Sequence, residues 1–181
     1  MKNILLRLRE HGAMAMMLVL LCIAVASCGE DDIISIGANM LEVNGTEMGM
    51  GEATFLEYGA MGSGINCDVL ICSEGMYYNV YNSEVTGSGI FIYFEIITSE
   101  SQKLASGTYS FSDSEEKPGV FTDNSYYVDT RSNGIRAFAT GGRIKVSSSD
   151  NNYSLQFECE YENGVKITGH YQGIPSYYQK Q

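Results

Sequence analysis

The sequence predicts an all-β fold, in the form of an antiparallel β-sandwich. Glycine is plentiful, with 20 residues among 181, whereas proline occurs only twice. Tyrosine, isoleucine and valine recur in short runs separated by turn residues, and no window of the sequence holds a convincing helical period. Short alternating runs of this kind are typical of antiparallel strands with one buried face.

The individual strands follow from the alternation of apolar and polar residues between turn-forming ends. In chain order, the predicted strands are Met40–Val43, Ala53–Glu57, Asn66–Ile71, Tyr77–Tyr81, Ile90–Ile97, Thr108–Phe111, Gly119–Thr122, Tyr126–Asp129, Arg143–Ser147, Tyr153–Tyr161 and Val165–Tyr171. Residues 39–175 are therefore expected to form one antiparallel β domain, which their length also favours. Residues 176–181 are expected to be a C-terminal tail.

The turn at Asn163-Gly164 decides the register of the last two predicted strands. Asn-Gly normally indicates a two-residue turn, but that register would set the apolar Tyr161 against the solvent-facing Lys166. Because a slip of one residue exchanges the faces of a strand, the buried pattern favours a loop at 162–164 with Gly164 in the left-handed region. The predicted pairs are Tyr161 with Val165, Cys159 with Ile167, Phe157 with Gly169, and Leu155 with Tyr171.

The segment Ile90–Ile97 is apolar on both faces. One face carries Ile90, Ile92, Phe94 and Ile96, and the other carries Phe91, Tyr93, Glu95 and Ile97. A central strand covered on both sides explains this pattern, in two stacked sheets or in one closed sheet. A closed or partly open lipocalin-like β-barrel is therefore the alternative to the sandwich.

The N-terminal segment has the charge and length of a signal peptide. Basic residues come first, at Lys2, Arg7 and Arg9, and residues 13–26 are then uncharged and mostly apolar. As a helix, this apolar run would span about 21 Å, short of the roughly 30 Å hydrocarbon core of a bilayer. We predict that residues 1–27 are a cleaved signal peptide rather than a permanent membrane span.

The apolar run ends in Val25-Ala26-Ser27-Cys28, which is the pattern of a bacterial lipoprotein signal. The two small residues admit a peptidase, and the Cys28 thiol can accept a diacylglycerol. Two or more acyl chains hold a protein stably on a bilayer. We predict lipidation at Cys28; an ordinary secretory signal with a chance cysteine is the alternative.

Residues 28–38 are predicted to be an acidic flexible tether. Gly29-Glu30-Asp31-Asp32 follows Cys28 directly and has no apolar neighbours that would bury it. Acidic residues at this place resemble the surface-export signals of Bacteroidetes lipoproteins. The whole chain has a formal charge of −11, so phosphate backbones repel it and nucleic acid is excluded as a partner.

The cysteines and histidines offer little material for catalysis or metal binding. Cys67 and Cys159 both alternate with apolar residues, so they are either two buried free thiols or one disulfide bridge, whereas Cys72 faces away from Cys67. There is no CxxC, and His170 is the one histidine after the signal peptide. The acidic segments Asp113–Glu116 and Asp150–Asn152 lack the spacing of a calcium loop. We expect no metal, no cofactor and no catalytic residues.

Three tyrosine doublets are the most suggestive surface feature, at 77–78, 126–127 and 177–178. Adjacent strand residues face opposite ways, so one ring of each doublet is expected to be exposed as a platform that stacks on sugar faces. Tyrosine also favours strands for reasons unconnected with ligands. The candidate ligand-binding residues are Tyr77, Tyr78, Tyr126 and Tyr127.

A succession of short glycine-containing segments runs along nearly the whole predicted domain. In chain order they are Asn44-Gly45, Gly87–Ile90, Ser106–Tyr109, Gly141–Val146, Tyr153–Phe157 and Asn163–Gly173. This succession resembles a group of uncharacterised β-rich surface lipoproteins of Bacteroidetes. The resemblance implies an envelope location and a role in glycan or host-surface binding, and it brings no catalytic residues.

These observations together predict a lipid-anchored protein of the outer membrane that faces the cell exterior. The favoured function is a non-enzymatic binding module for a glycan or a host-surface ligand. The alternative is a structural or assembly subunit of an outer-envelope complex, which would dock through sheet edges. A hydrolase is disfavoured because the sequence offers no obvious site.

Overall fold

The computed structural model describes residues 36–180. The described residues do not include the predicted signal peptide (1–27). They also leave out residues 28–35 of the predicted tether, of which Cys28 is the first. Within residues 36–180, no helix has the length and apolar character needed to cross a membrane.

The described residues form 13 strands and one 3-10 turn, so the all-β prediction is confirmed. The strands are β1 Met40–Val43, β2 Thr46–Met61, β3 Gly64–Ser73, β4 Met76–Asn79, β5 Glu84–Gly87, β6 Ile90–Thr98, β7 Gly107–Ser112, β8 Val120–Thr122, β9 Tyr126–Asp129, β10 Ile135–Ser149, β11 Asn152–Tyr161, β12 Lys166–Gly173 and β13 Ser176–Gln179. The 3-10 turn is Thr130–Ser132, which Asp129 caps by accepting the Arg131 backbone N–H.

The strand pairings form a ring. The order is β1-β12-β11-β10-β7-β8-β6-β3-β2, and β2 pairs again with β1. The short strand β9 lies between β6 and β10 at one end of the sheet, where β8 and β7 bridge the same two strands at the other end. This closed circuit is barrel-like, which is the arrangement that the sequence left open beside the sandwich.

Most pairings are antiparallel, but two are parallel. β7 pairs with β8 in parallel, and β13 pairs in parallel with β2 over residues 54–57. Strand β13 corrects the prediction of a tail at 176–181, since four of those residues belong to the sheet. A separate hairpin, β4–β5, packs outside the ring.

Each predicted strand is present. The prediction misplaced the start of one strand and missed another, in both cases where the alternation of apolar and polar residues is weak. Strand β10 begins at Ile135 rather than at Arg143 because its first inward positions are the small residues Ala137 and Ala139. Strand β5 was not predicted, because it is mostly polar and exposed. Small and polar residues give little alternation, although backbone pairing still forms there.

The register predicted for the last hairpin is confirmed. Cys159 pairs with Ile167, Phe157 with Gly169, and Leu155 with Tyr171. The Tyr161 backbone N–H donates to the Val165 carbonyl at 3.0 Å, and Gly164 has a φ of +76°. The apolar face therefore overrode the two-residue turn that Asn-Gly usually forms.

The interior of the ring is one hydrophobic core of aromatic and branched side chains. Phe94 lies at its centre, with ring centroids 5.8 Å from Phe121 and 5.3 Å from Phe157, both in edge-on geometry. Burying each such side chain contributes about 1.5–3 kcal/mol. Cys67 and Cys159 belong to this core as free thiols, and burial raises the pKa of both.

A second, smaller apolar cluster lies on the outer face of β2, β3 and β6. It consists of Leu56, Leu70, Cys72, Met76 and Phe91. The hairpin β4–β5 covers it, with Met76 as its buried anchor. The prediction that β6 is covered on both sides is therefore confirmed, and Cys72 faces away from Cys67 as expected.

We expect Gly169→Ala to destabilise the fold by about 1–3 kcal/mol, as overpacking of a dense core does. A Cβ at this position would collide with the ring of Phe157 and the methyl group of Met50. The free energy of unfolding, from urea denaturation followed by circular dichroism, measures the change. Gly141→Ala is the matched control, because a Cβ there meets nothing within 4 Å. Equal stability of the two variants would contradict the packing seen here.

Candidate functional site

A row of side chains crosses four strands on the outer face of the sheet. The register pairs Leu70 of β3 with Tyr93 of β6, Tyr93 with Tyr126 of β9, and Tyr126 with Phe138 of β10. Because strand residues alternate between faces, the residues next to these in the chain point into the core. The three aromatic members of this row, Tyr93, Tyr126 and Phe138, come from three different strands, and we call them the aromatic ladder.

The rings of this ladder hold one another in place. Tyr93 and Tyr126 are stacked, with centroids 4.9 Å apart and planes at 23°. Phe138 meets Tyr126 edge-on at 5.8 Å. The guanidinium carbon of Arg136 lies 4.5 Å from the centroid of the same Tyr126 ring. Stacking, edge contact and a cation–π contact therefore fix Tyr126 before any ligand arrives.

The hairpin β4–β5 forms the opposite wall. Tyr78 stacks on Phe91 with centroids 6.2 Å apart and planes at 19°. The space between this wall and the ladder is a groove of about 440 Å³, within the range of small-ligand sites. Its lining residues are Leu56, Tyr58, Asp68, Leu70, Tyr78, Ser83, Val85, Phe91, Tyr93, Glu95, Asn124, Tyr126 and Phe138. We call it the aromatic groove.

Two carboxyl groups line the aromatic groove, and they are register partners. Asp68 of β3 lies opposite Glu95 of β6, and the two are 4% and 8% exposed. Glu95 accepts hydrogen bonds from the Thr122 hydroxyl and from Asn124 Nδ2, the latter at 2.9 Å. Ser125 Oγ accepts the Glu95 backbone N–H at 3.0 Å. Glu95 is thus held by polar partners from the end of β8 and the turn that follows it.

Asp68 is less well satisfied. Its Oδ1 is buried and has no hydrogen-bond partner in the structure. Burial raises the pKa of Asp68 to about 7, and the nearby charge of Glu95 acts in the same direction. Hydrogen bonds from the Tyr93 hydroxyl and from the Asn66 side chain to the Asp68 carboxyl act against this rise. A buried acceptor with an unpaired oxygen is uncommon in native structures, and it is often found at functional sites.

Two of the four tyrosines predicted to bind ligand come together at the aromatic groove. Tyr78 and Tyr126 lie on its two walls, and both approach Phe91 at 6.2 Å. Tyr77 is exposed on the other face of β4, outside the groove. Adjacent strand residues face opposite sides of a sheet, so each doublet places one tyrosine in the groove, Tyr78 from the first and Tyr126 from the second.

The structure corrects the prediction for Tyr127. This side chain is buried in the core, where its ring meets Tyr161 edge-on at 4.7 Å, and its hydroxyl accepts a 2.6 Å hydrogen bond from Asn163 Nδ2. The third doublet also has a structural member, because the Tyr177 hydroxyl donates to the buried Glu57. Cys28, the predicted lipidation site, lies outside the described residues.

The groove residues that sequence reasoning missed include Tyr58, Asp68, Tyr93, Glu95 and Phe138. A signal was present for Asp68, since a carboxylate inside the apolar run Cys67–Ile71 is rarely buried without a reason. Tyr93 and Glu95 share the outward face of Ile90–Ile97, which also marked them. Nothing local identifies Tyr58 or Phe138, because their significance depends on the pairing order.

The acidic segments show no metal-binding arrangement. Among residues 36–180, no three His, Cys, Asp or Glu side chains are placed to hold one metal ion. Asp113–Glu116 line a polar depression that also contains Asp123. Asp150 lies in the turn between β10 and β11 with a φ of +56°, a conformation that Asp and Asn tolerate.

Comparisons with protein-family models, with curated proteins and with solved structures found no match to this chain.

We expect Asp68 to make stability fall as the pH rises. Its folded-state pKa of about 7 exceeds the ordinary aspartate value of 3.8, so the folded protein holds this proton more tightly than the unfolded chain. The resulting stabilisation is present below about pH 4 and is lost as the pH rises through 7. Replacing Asp68 with Asn removes this dependence.

The measurement is urea denaturation at pH 5 and pH 8. The free energy of unfolding of Asp68→Asn, relative to wild type, should rise by roughly 1–3 kcal/mol between the two pH values. Asp150→Asn makes the same chemical change at an exposed turn and should show no such rise. If both variants follow the wild-type pH dependence, Asp68 does not hold the proton.

Proposed function

We propose that this chain is a lipid-anchored cell-envelope protein whose β domain binds glycans in the aromatic groove without catalysing a reaction. The observation that carries the proposal is the combination of exposed rings and buried acceptors in one groove. Tyr58 and Phe138 at its edge are 50% and 39% exposed, although large aromatic side chains are costly to leave in water.

Sugars match this combination of surfaces. The C–H faces of a sugar ring are apolar and pack on aromatic rings, whereas its hydroxyl groups need hydrogen-bond partners at fixed places. Tyr58 and Phe138 offer the apolar surface. Asp68, Glu95 and Asn124 offer polar partners on the same groove wall.

Binding is favoured over hydrolysis by the environment of Glu95. A glycosidase needs two carboxyl groups, one of which attacks the sugar or activates water. Here Thr122 and Asn124 already donate to the Glu95 carboxylate, and the unpaired Oδ1 of Asp68 is buried. The Glu95 carboxylate is therefore engaged by its own partners rather than free to attack a sugar, and both carboxyl groups line the groove, where they can orient a ligand.

The cell-envelope part of the proposal rests on the N-terminal sequence. The basic and then apolar run, the Val25–Cys28 ending and the acidic residues after it support lipid attachment and export to the cell surface. The resemblance to β-rich surface lipoproteins of Bacteroidetes points to the same location.

A structural or assembly role is the second candidate. The hairpin β4–β5 forms a two-stranded sheet of its own, and it carries the exposed Tyr77 beside the turn residue Tyr81, which is 94% exposed. Short sheet edges of this kind can pair with a strand from a partner. Chemical cross-linking of Tyr81-region peptides to an envelope protein, with no glycan bound, would favour this candidate.

We expect Tyr58→Ala and Phe138→Ala each to weaken glycan binding by about 3- to 10-fold, because each removes one stacking ring. A glycan array with the secreted domain identifies a ligand, and titration calorimetry then measures its affinity. Tyr77→Ala is the matched control, since it removes an exposed ring outside the aromatic groove and should leave binding unchanged. Failure to bind any glycan, or release of reducing ends from the bound glycan, would contradict the proposed function.

We expect Cys28→Ser to abolish lipid attachment. Serine lacks the thiol that accepts the lipid, so the unprocessed precursor should accumulate and incorporate no labelled palmitate. Cys22→Ser is the control, because this cysteine lies inside the predicted signal peptide and should not alter labelling. Equal labelling of Cys28→Ser and wild type would contradict the predicted anchor.

A further inference from the structure

The aromatic groove has an unbalanced charge. Its described lining includes two carboxyl groups, Asp68 and Glu95, and no lysine or arginine. Arg136 lies beside the groove, over the Tyr126 ring. Buried carboxylates are usually paired with a cation or protonated, because burial of an isolated charge is costly.

The two carboxyl groups also disfavour each other. Asp68 and Glu95 are directly opposite across the β3–β6 pair, where side chains approach to about 5 Å and like charges destabilise the sheet. Burial, and to a smaller extent the charge of Glu95, raises the pKa of Asp68 to about 7, and a proton on Asp68 relieves the repulsion. A ligand that brings a positive charge would relieve it equally well and would supply a donor for Oδ1. A neutral hydroxyl would supply the donor but no charge.

The aromatic rings favour the same kind of ligand group. Burial raises the pKa of the Tyr58 and Tyr93 hydroxyl groups, and the charge of the nearby Asp68 acts in the same direction on both. Tyr78 and Tyr126 complete the walls. Aromatic faces attract ammonium groups through their quadrupoles, by roughly 0.5–2 kcal/mol per contact. A carboxylate flanked by such rings therefore complements an ammonium better than a hydroxyl, an amide or an anion.

Building on the proposed function, we propose that the glycan bound in the aromatic groove carries a free, protonated amino group, which donates a hydrogen bond to the Asp68 carboxyl group. Tyr58 and Phe138 pack on the face of the amino sugar. N-acetylated sugars lose the charge and add bulk, and acidic sugars meet Asp68 and Glu95 with like charge. The chain charge of −11 attracts the same ligands from a distance.

The test compares two oligosaccharides of equal length by titration calorimetry at pH 6.5 and physiological salt. One is an oligomer of glucosamine, and the other is the corresponding oligomer of N-acetylglucosamine. We expect the free-amine oligomer to bind at least tenfold more tightly to the wild-type domain. In Asp68→Asn, this preference should fall to less than threefold. Asp150→Asn loses one negative charge elsewhere and should keep the preference.

The outcomes separate this inference from the proposed function. If the N-acetylated oligomer binds as tightly as the free amine, or if Asp68→Asn keeps the preference, the amine inference is wrong and glycan binding stands. If no glycan binds at all, both fail. A lysine hexapeptide that binds as tightly as the glucosamine oligomer, with the same dependence on Asp68, would overturn the assignment to a sugar.

A second variant, Glu95→Gln, keeps the test informative if Asp68→Asn fails to fold. Glu95→Gln leaves Asp68 in place and removes the repulsive partner charge. It should retain a preference for the free amine, though a smaller one. Near-ultraviolet circular dichroism of each variant checks that the tyrosines keep their wild-type packing. Loss of the preference in a correctly folded Asp68→Asn, with partial retention in Glu95→Gln, is the expected pattern.

Discussion

Strand β6 carries two hydrophobic faces, and the rest of the structure depends on how both are buried. Its inward face contributes Ile90, Ile92, Phe94 and Ile96 to the core of the ring. Its outward face places Phe91 and Tyr93 in the second cluster. A strand of this kind has to lie inside a sheet, and β6 pairs with β3 on one side and with β8 and β9 on the other. The ring and the outer hairpin both follow from this requirement.

The groove exists because the outer cluster is only partly covered. Hairpin β4–β5 is short, so it buries Leu56, Leu70 and Phe91 but leaves the aromatic ladder open along one side. Ring-on-ring contacts keep that open side rigid. A preformed and rigid wall lowers the cost of ordering side chains when a ligand binds. Stability and recognition therefore use the same apolar cluster.

Two buried carboxylates show how different surroundings give different roles. Glu57, on β2, is 5% exposed. Burial acts to raise the pKa of Glu57, but hydrogen bonds from Tyr177, Gln102, Ser101 and Gln179 outweigh it and lower the pKa. The bonds from Tyr177 and Gln179 attach β13 to the ring, and those from Ser101 and Gln102 attach the loop after β6, so Glu57 has a structural role. Asp68 is equally buried, yet its Oδ1 lacks a partner and its pKa is raised. The contrast marks Asp68 as the carboxylate with capacity left for a ligand.

The sequence by itself determined the β class, the two-faced character of Ile90–Ile97 and the register around Gly164, and it predicts a lipoprotein signal. Each of these rests on a local pattern, either alternation with a period of two or a short run of residue types. Tyr78 and Tyr126 were found in the same way, as exposed-ring candidates. Only the tertiary structure decided that these two rings share a groove with Tyr58, Asp68 and Phe138. Neighbours across a sheet come from distant segments, and which strands pair is set by the burial of the whole chain, which no local pattern records.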